Sequence, residues 1–254
     1  AAKNITSLPM FYGLPEPTLR RIQDELVMPE LARRLEARLA VKVLLPALDL
    51  GYTQVFTTDR PLRSSRDLRQ LKIRVPGGVP NLRRLRLQGA YPVSIPWSDA
   101  PLALSQGNID GVTTTYETAQ SAALWDVGVR HALEDRAMFV QYVPMLRRSF
   151  WDGLEPATRH VVSDCWQQEL QHARAFAAAR QAKARQTIIE HGVEIVVPDA
   201  ATLGAERDRL LETQPALVEE LGMPNDIVAR VVSAATMATP DGSLSPGAST
   251  GAGT

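Results

Sequence analysis

The chain has 254 residues, of which 44% are hydrophobic and 22% charged, and its 28 basic side chains balance 28 acidic ones. This neutral balance argues against nucleic acid or a membrane surface as a partner, because both require a basic footprint. No apolar run reaches the roughly 18 residues of a spanning helix, so direct membrane insertion is not expected. With one cysteine, Cys165, and four scattered histidines, we expect no metal and no cofactor.

The first third of the chain alternates between helical and extended patterns. Residues 16–40 carry leucine and isoleucine at helical spacing, and Pro29 is expected to break or kink that helix. The short apolar run 41–45 predicts a buried strand. A second strand, 71–75, ends at Pro76, which cannot continue a hydrogen-bonded ladder.

A regular alternation of helices and strands follows. A helix over residues 80–88 ends at Gly89, and a strand over 91–95 comes next. Ser98 is the expected N-cap of a second helix, and a third strand occupies 109–114. Strands and helices alternating within about 45 residues predict parallel βαβ units, and hence an open sheet flanked by helices.

The second half is dominated by one long helical segment. Residues 155–191 end at Gly192, and a continuous helix there would measure roughly 55 Å, longer than a small domain is wide. Such a helix is expected to brace two lobes. The remaining elements are a helix over 115–124, an extended stretch over 138–146, a strand over 193–197 and two or three helices over 199–237.

Arg74 is the first candidate for a binding residue. It lies between Ile73 and Val75 at the carboxyl end of a predicted strand, where open α/β sheets bind their ligands. A guanidinium group matches the geometry of a carboxylate and keeps its charge when desolvated. Taken alone, the residue fits a surface ion pair as well.

Residues whose side chains could contact a ligand are also found at the ends of two other predicted strands. Trp97 follows one strand and can form an aromatic wall, although a core tryptophan is an equal alternative. Residues 113–116 place four hydroxyl groups at the end of another strand, where threonines also serve as strand formers and helix caps. Because charge, ring and hydroxyls converge on one side of the sheet, the sequence favours a binding pocket there.

No catalytic constellation is found in the sequence. The segment PGGVPN lacks the spacing of a dinucleotide-binding turn and the lysine of a phosphate loop. There is no Gly-x-Ser-x-Gly nucleophile elbow and no indicated cysteine–histidine pair. We therefore do not expect an enzyme.

Two blocks of sequence resemble a known family. The segments DRPLRSSRDLRQLKIRVP and LQGAYPVSIPWSDAPLALSQGNIDG are similar, in composition and spacing, to the solute-binding subunits of tripartite ATP-independent periplasmic (TRAP) transporters, the DctP-like family. LPMF near the start and the later Phe150-Trp151 pair extend the resemblance over about residues 7–235.

The resemblance implies a two-lobed α/β fold like that of periplasmic binding proteins, with open mixed sheets, hinge strands and a long helix that bridges the lobes. It implies five segments: an incomplete first lobe (1–51), the second lobe (52–140), a return to the first lobe through a hinge strand and the long helix (141–192), a closing strand and helices (193–238) and a disordered tail (239–254).

The resemblance also implies a set of ligand-binding residues. Arg74 matches the arginine that pairs with the ligand carboxylate, Trp97 an aromatic pocket residue, and Thr114 an asparagine that hydrogen-bonds the ligand. Thr53 stands where many members have a second arginine. Together with the neighbouring hydroxyl of the third strand end, the expected ligand-binding set is Arg74, Trp97, Thr114, Thr53, Gly77, Tyr116 and Gln141.

The implied function is capture of a small organic acid in the periplasm and its delivery to the integral membrane permease subunits of a TRAP transporter. Loss of the second arginine favours a monocarboxylate, sugar acid or keto acid over a dicarboxylate. About 70–90 residues of the family's opening portion and a signal peptide are missing by comparison, so we expect a truncated chain or a mis-assigned start. A ligand-sensing or protein-interaction module with the same fold is the alternative.

Overall fold

The computed structural model describes residues 6–236, so the predicted tail over 239–254 lies outside the described residues, as do residues 1–5. The helices are α1 (Glu16–Ile22), α2 (Met28–Arg38), α3 (Val79–Leu87), α4 (Ala100–Ser105), α5 (Tyr116–Ser121), α6 (Arg148–Gly153), α7 (Pro156–Glu190), α8 (Ala200–Leu211), α9 (Gln214–Glu220) and α10 (Asn225–Thr236). The strands are β1 (Val41–Val43), β2 (Leu48–Tyr52), β3 (Gln54–Thr57), β4 (Lys72–Val75), β5 (Tyr91–Ser94), β6 (Gly111–Thr114), β7 (His131–Leu133), β8 (Phe139–Tyr142), β9 (Met145–Arg147) and β10 (Glu194–Val196).

Six strands form one mixed sheet in the order β10-β7-β3-β6-β4-β5. Strand β4 is parallel to both β5 and β6, as the alternating pattern predicts. Strand β3 lies antiparallel between β6 and β7, and β10 adds in parallel at the β7 edge. This sheet, with the helices α3, α4 and α5, is called lobe II below.

A second body is built mainly from helices. Buried side chains of α1, α9 and α10 pack together with the segment that follows residue 6, around Phe11 and Leu19. Helix α8 closes over the same segment. This body is called lobe I. The antiparallel pairs β1/β9 and β2/β8 do not belong to the six-stranded sheet, and β2 leads directly into β3 of lobe II. The pair β2/β8 is therefore a hinge between the lobes.

Helix α7 runs along both lobes, in agreement with the predicted bridging helix. Its 35 residues span about 50 Å. Near its middle, Arg174 donates to both carboxylate oxygens of Asp24 at 2.7 and 2.8 Å, which ties it to lobe I. Eleven residues later, Arg185 donates to Glu134 of lobe II at 2.6 Å. The helix is thus fixed to each lobe separately.

The predicted interruption near Pro29 takes the form of a π-helical turn (Gln23–Val27) between α1 and α2, and Pro29 itself lies in the first turn of α2, where proline is tolerated. One local prediction is wrong. Ser98 does not cap α4, because its hydroxyl donates to the Asp99 carboxylate at 3.0 Å and the segment begins as a 3-10 turn (Trp97–Asp99).

Gly111 should tolerate no side chain, because β6 lies between two strands at this point. A Cβ atom on Gly111 would lie 2.3 Å from the Phe56 carbonyl oxygen of β3, so the backbone would have to move. We expect Gly111→Ala to lower the free energy of unfolding by about 1–3 kcal/mol in urea titrations, the usual cost of overpacking. The matched control is Gly204→Ala in α8, where no atom lies within 4 Å and alanine is the better helix former. Equal stability of the two variants would contradict the packing argument.

Candidate ligand-binding site

Arg74 lies near the carboxyl end of β4 in the sheet of lobe II, as predicted. The strand neighbours Ile73 and Val75 are buried in the core, and Arg74 itself is only 6% exposed. Its Nε donates to the carbonyl oxygen of Ile95 at 3.0 Å, and its guanidinium carbon lies 5.2 Å from the ring centroid of Trp97. The two residues that sequence reasoning singled out are therefore in contact, with the cation over the aromatic face.

The guanidinium of Arg74 has no anionic partner in the described part of the chain. Burial alone lowers its pKa, without a neighbouring carboxylate to compensate. Among residues 6–236 it forms no salt bridge, and its hydrogen bond to Ile95 uses only one of its five N–H groups. The surface ion pair considered as the alternative is thus not what the structure shows. A largely buried arginine without a carboxylate partner has N–H groups left that can bind an anion.

Thr114 and Gly77 share this edge of the sheet. Arg74 pairs with Val112 in parallel register, and Thr114 lies two residues further along β6, so both side chains emerge on the same face. The Thr114 hydroxyl forms no hydrogen bond with the described residues. Gly77, with φ of +95°, turns the chain out of β4. Arg74, Gly77, Trp97 and Thr114 therefore all lie at or just after the carboxyl ends of the parallel strands, on one edge of the sheet.

Three other predicted residues are engaged elsewhere. The Thr53 hydroxyl donates to the Met138 carbonyl oxygen at 3.4 Å. The Tyr116 hydroxyl donates to Glu134 at 2.6 Å, and the Gln141 amide donates to Asp49 at 2.6 Å in the hinge pair β2/β8. The first bond joins the segments beside the hinge strands, the second lies within lobe II and the third lies within the hinge pair. A contact of these three residues with a ligand stays a prediction.

Gln54 is a candidate that sequence reasoning missed. It is paired with Thr114 in the antiparallel ladder, so the two side chains lie on the same face of the sheet. Gln54 is only 6% exposed, and its Oε1 is buried without a hydrogen-bond partner among the described residues. It lines a cavity of about 210 Å³ beside the hinge, together with Tyr116. In the sequence, the only indication of Gln54 was its position directly after Thr53. The face of the sheet on which its side chain lies follows from its pairing with Thr114, which the sequence does not show.

The described part of the chain contains neither a cluster of metal-binding side chains nor a helix suited to span a membrane. Within residues 6–236, no three side chains of histidine, cysteine, aspartate or glutamate are grouped so that they could hold a metal ion. In the same part of the chain, no helix has the length and apolar character needed to cross a bilayer.

The chain matches the model of a known protein family. The family of bacterial extracellular solute-binding proteins, family 7 (DctP), matches residues 4–214. The chain belongs to this family. The membership confirms the predicted TRAP-type resemblance and the extracytoplasmic location.

Relatives of this DctP-family chain include two curated proteins. The sialic acid-binding periplasmic protein SiaP of Vibrio cholerae is 26% identical over 155 residues, which cover 60% of this chain and 48% of SiaP. The 2,3-diketo-L-gulonate-binding periplasmic protein YiaO of Escherichia coli is 26% identical over 149 residues, covering 58% of this chain and 44% of YiaO. The matched region thus spans about half the length of these relatives.

A solved structure confirms the fold that the sequence predicts for this chain. A TRAP periplasmic solute-binding protein from Ralstonia eutropha, with bound (S)-2-acetolactate, has a TM-score of 0.81 and 22% identity. The similarity covers 92% of this chain and 74% of that one. The two-lobed arrangement with a long helix is therefore that of TRAP solute-binding proteins.

Proposed function

We propose that this DctP-family protein captures a small organic acid with one carboxylate in the cleft between its lobes and delivers it to a TRAP-type membrane permease. In this proposal the protein binds and releases its solute and catalyses no reaction. The observation that carries it is the Arg74 guanidinium, which is largely buried, stacked on Trp97 and without a carboxylate partner among the described residues.

The chemistry of the sheet edge suits such an acid. The two terminal nitrogens of Arg74 can hold a carboxylate with two parallel hydrogen bonds. The Trp97 ring can pack against the carbon chain, and the hydroxyl of Thr114 and the amide of Gln54 can bind hydroxyl or keto oxygens. With one arginine at this edge, a second carboxylate would be buried without a partner, at a large desolvation cost.

The named ligands of the relatives support this class of solute. Sialic acid, 2,3-diketo-L-gulonate and acetolactate each carry one carboxylate together with hydroxyl or keto groups. The chain covers only part of those relatives, and the three ligands belong to those proteins. What they share is the combination that Arg74, Thr114 and Gln54 can bind, so we propose the same class here.

A thermal-shift screen tests the proposal. The probes are pyruvate, lactate, gluconate, galacturonate and 2-acetolactate, with succinate as the dicarboxylate and galactose as the uncharged match to galacturonate. A probe present at 100 times its Kd should add about 2.7 kcal/mol to the free energy of unfolding. At about 2–4 °C per kcal/mol for a chain of this size, the melting temperature should rise by about 5–10 °C. Stabilisation by none of the monocarboxylates, or equally by galactose, would contradict the proposal.

A further inference from the structure

A groove beside helix α8 is lined by residues that the proposed function does not use. It lies between the segment that precedes α1, helix α8 and the end of α10, and its volume is about 550 Å³. That volume is within the range of sites for small molecules. The lining contains none of the residues proposed above to bind the solute, which are Arg74, Trp97, Thr114 and Gln54. We call this feature the α8 groove.

The α8 groove lies at a distance from Arg74 along the sheet. Arg136 follows β7 and Pro198 follows β10, and both residues line the groove. Strands β3 and β6 separate β7 from β4, the strand of Arg74. Three strand spacings of about 4.8 Å place β7 and β4 about 14 Å apart. The groove and the carboxyl end of β4 are therefore two different places on the molecule.

Two arginines line the α8 groove without an anionic partner among residues 6–236. The side chains of Arg136 and Arg207 are partly buried, and neither forms a hydrogen bond or an ion pair with a described residue. The one carboxylate in the described lining, that of Asp208, is exposed and pairs with neither arginine. Two guanidinium groups and one carboxylate leave an excess of positive charge, which attracts an anion.

The rest of the lining is largely apolar, and a glycine keeps the groove open. The apolar side chains along it include Met10, Leu14, Leu203 and Leu211. Gly204 lies in the middle of α8, where glycine is less favourable than alanine. No atom beyond the neighbouring backbone lies within 4 Å of the position that its Cβ would take. A larger side chain at this position would therefore enter the groove.

The backbone holds Arg136 in place beside this apolar wall. Its φ of +47° lies in the left-handed region that residues with a side chain rarely adopt. Its carbonyl oxygen accepts a hydrogen bond from the N–H of Gly13 at 3.0 Å. Gly13 approaches α8 so closely that a Cβ on it would lie 3.0 Å from the Cβ of Leu203. Such an uncommon conformation, fixed by its neighbours, is typical of a binding site.

We propose that the α8 groove is a second ligand site, which binds an organic acid with an apolar chain or ring. The carboxylate of this acid accepts hydrogen bonds from Arg136 and Arg207. The apolar part lies over Gly204 and packs against Leu203. This acid differs from the solute proposed for Arg74, which carries hydroxyl or keto groups along its chain. The second site does not depend on the proposed function.

Titration calorimetry with octanoate tests the proposal, in the unaltered chain and in Arg74→Ala. Octanamide is the uncharged match to octanoate, and acetate has the carboxylate without the apolar chain. We expect octanoate to bind at least tenfold more tightly than either, and with the same affinity in both chains. Absence of octanoate binding, or equal binding of octanamide, would overturn the proposal. A loss of octanoate binding in folded Arg74→Ala would place the acid at Arg74 and overturn it too.

Substitutions in the groove locate the bound octanoate. Arg136→Gln and Arg207→Gln should each weaken its binding by about tenfold, because each removes a charged donor. Gly204→Leu should also weaken it by about tenfold, because the new side chain fills the groove and no charge changes. The matched control is Arg230→Gln on α10, which is exposed and does not line the groove, and which should change the affinity by less than twofold.

The three groove variants are checked for folding by circular dichroism. If Arg136→Gln does not fold, Arg207→Gln and Gly204→Leu decide. Unchanged octanoate affinity in the folded groove variants, or an equal loss in Arg230→Gln, would refute the α8 groove as the site.

Discussion

Arg74→Ala is expected to weaken the binding of an organic acid by about 30- to 5,000-fold. Removing one partner of a buried, hydrogen-bonded ion pair costs about 2–5 kcal/mol, and the Arg74 guanidinium is the buried cation of the proposed pair. Titration calorimetry with the most stabilising acid of the thermal-shift screen measures the change. Arg74→Lys should give an intermediate loss, because it keeps the charge but not the planar pair of donors.

The control for Arg74 is Arg66→Ala, an exposed arginine on the same lobe. It changes the net charge equally and should leave the affinity within about twofold, since exposed charges interact weakly through water. A loss of less than threefold for Arg74→Ala would remove Arg74 from the binding site.

Arg174→Met is expected to lower the free energy of unfolding by about 3–5 kcal/mol, the cost of leaving a buried ionic group without its partner. Arg174 is buried, holds both oxygens of Asp24 and donates to the Ala47 carbonyl oxygen at 2.8 Å. Its Nε also lies 3.1 Å from the buried carboxylate of Asp49. Thermal unfolding should show a decrease in melting temperature of about 6–20 °C.

Arg180→Met is the matched control on the same helix. Arg180 pairs with Glu117 at 2.5 Å, but its side chain is half exposed, and such pairs contribute about 0–1 kcal/mol. The double variant Arg174→Met/Asp24→Asn should recover part of the lost stability, because it also removes the charge of the carboxylate that Arg174 holds through two hydrogen bonds. Similar melting temperatures for the Arg174 and Arg180 variants would contradict a structural role of the Arg174 ion pairs.

The sequence predicts the parallel half of the sheet because the information there is local. Each strand and helix between Lys72 and Thr114 has its own apolar pattern and its own glycine or proline stop. The antiparallel insertion of β3 between β6 and β7, and the addition of β10, depend on partners 54 to 78 residues apart. Pairing over such distances is decided by packing, which no local pattern contains.

Some residues of the candidate site could likewise be predicted from local sequence, and others could not. Arg74 and Trp97 could be found because the ends of parallel strands meet at one edge of a sheet. Gln54 could not, because its face depends on its register with Thr114. The hydrogen bond from Gln141 to Asp49 joins residues 92 positions apart, so its place in the hinge could not be read from spacing.

The two attachments of α7 have a mechanical consequence. Only 11 residues, about 16 Å of helix, separate the arginine bound to lobe I from the one bound to lobe II. A rotation of the lobes must bend or stretch this short span, and an α-helix resists sharp bending. The elastic work stored in it adds to the balance between open and shut molecules. The stiffness of this span therefore affects how easily the two lobes change their relative position.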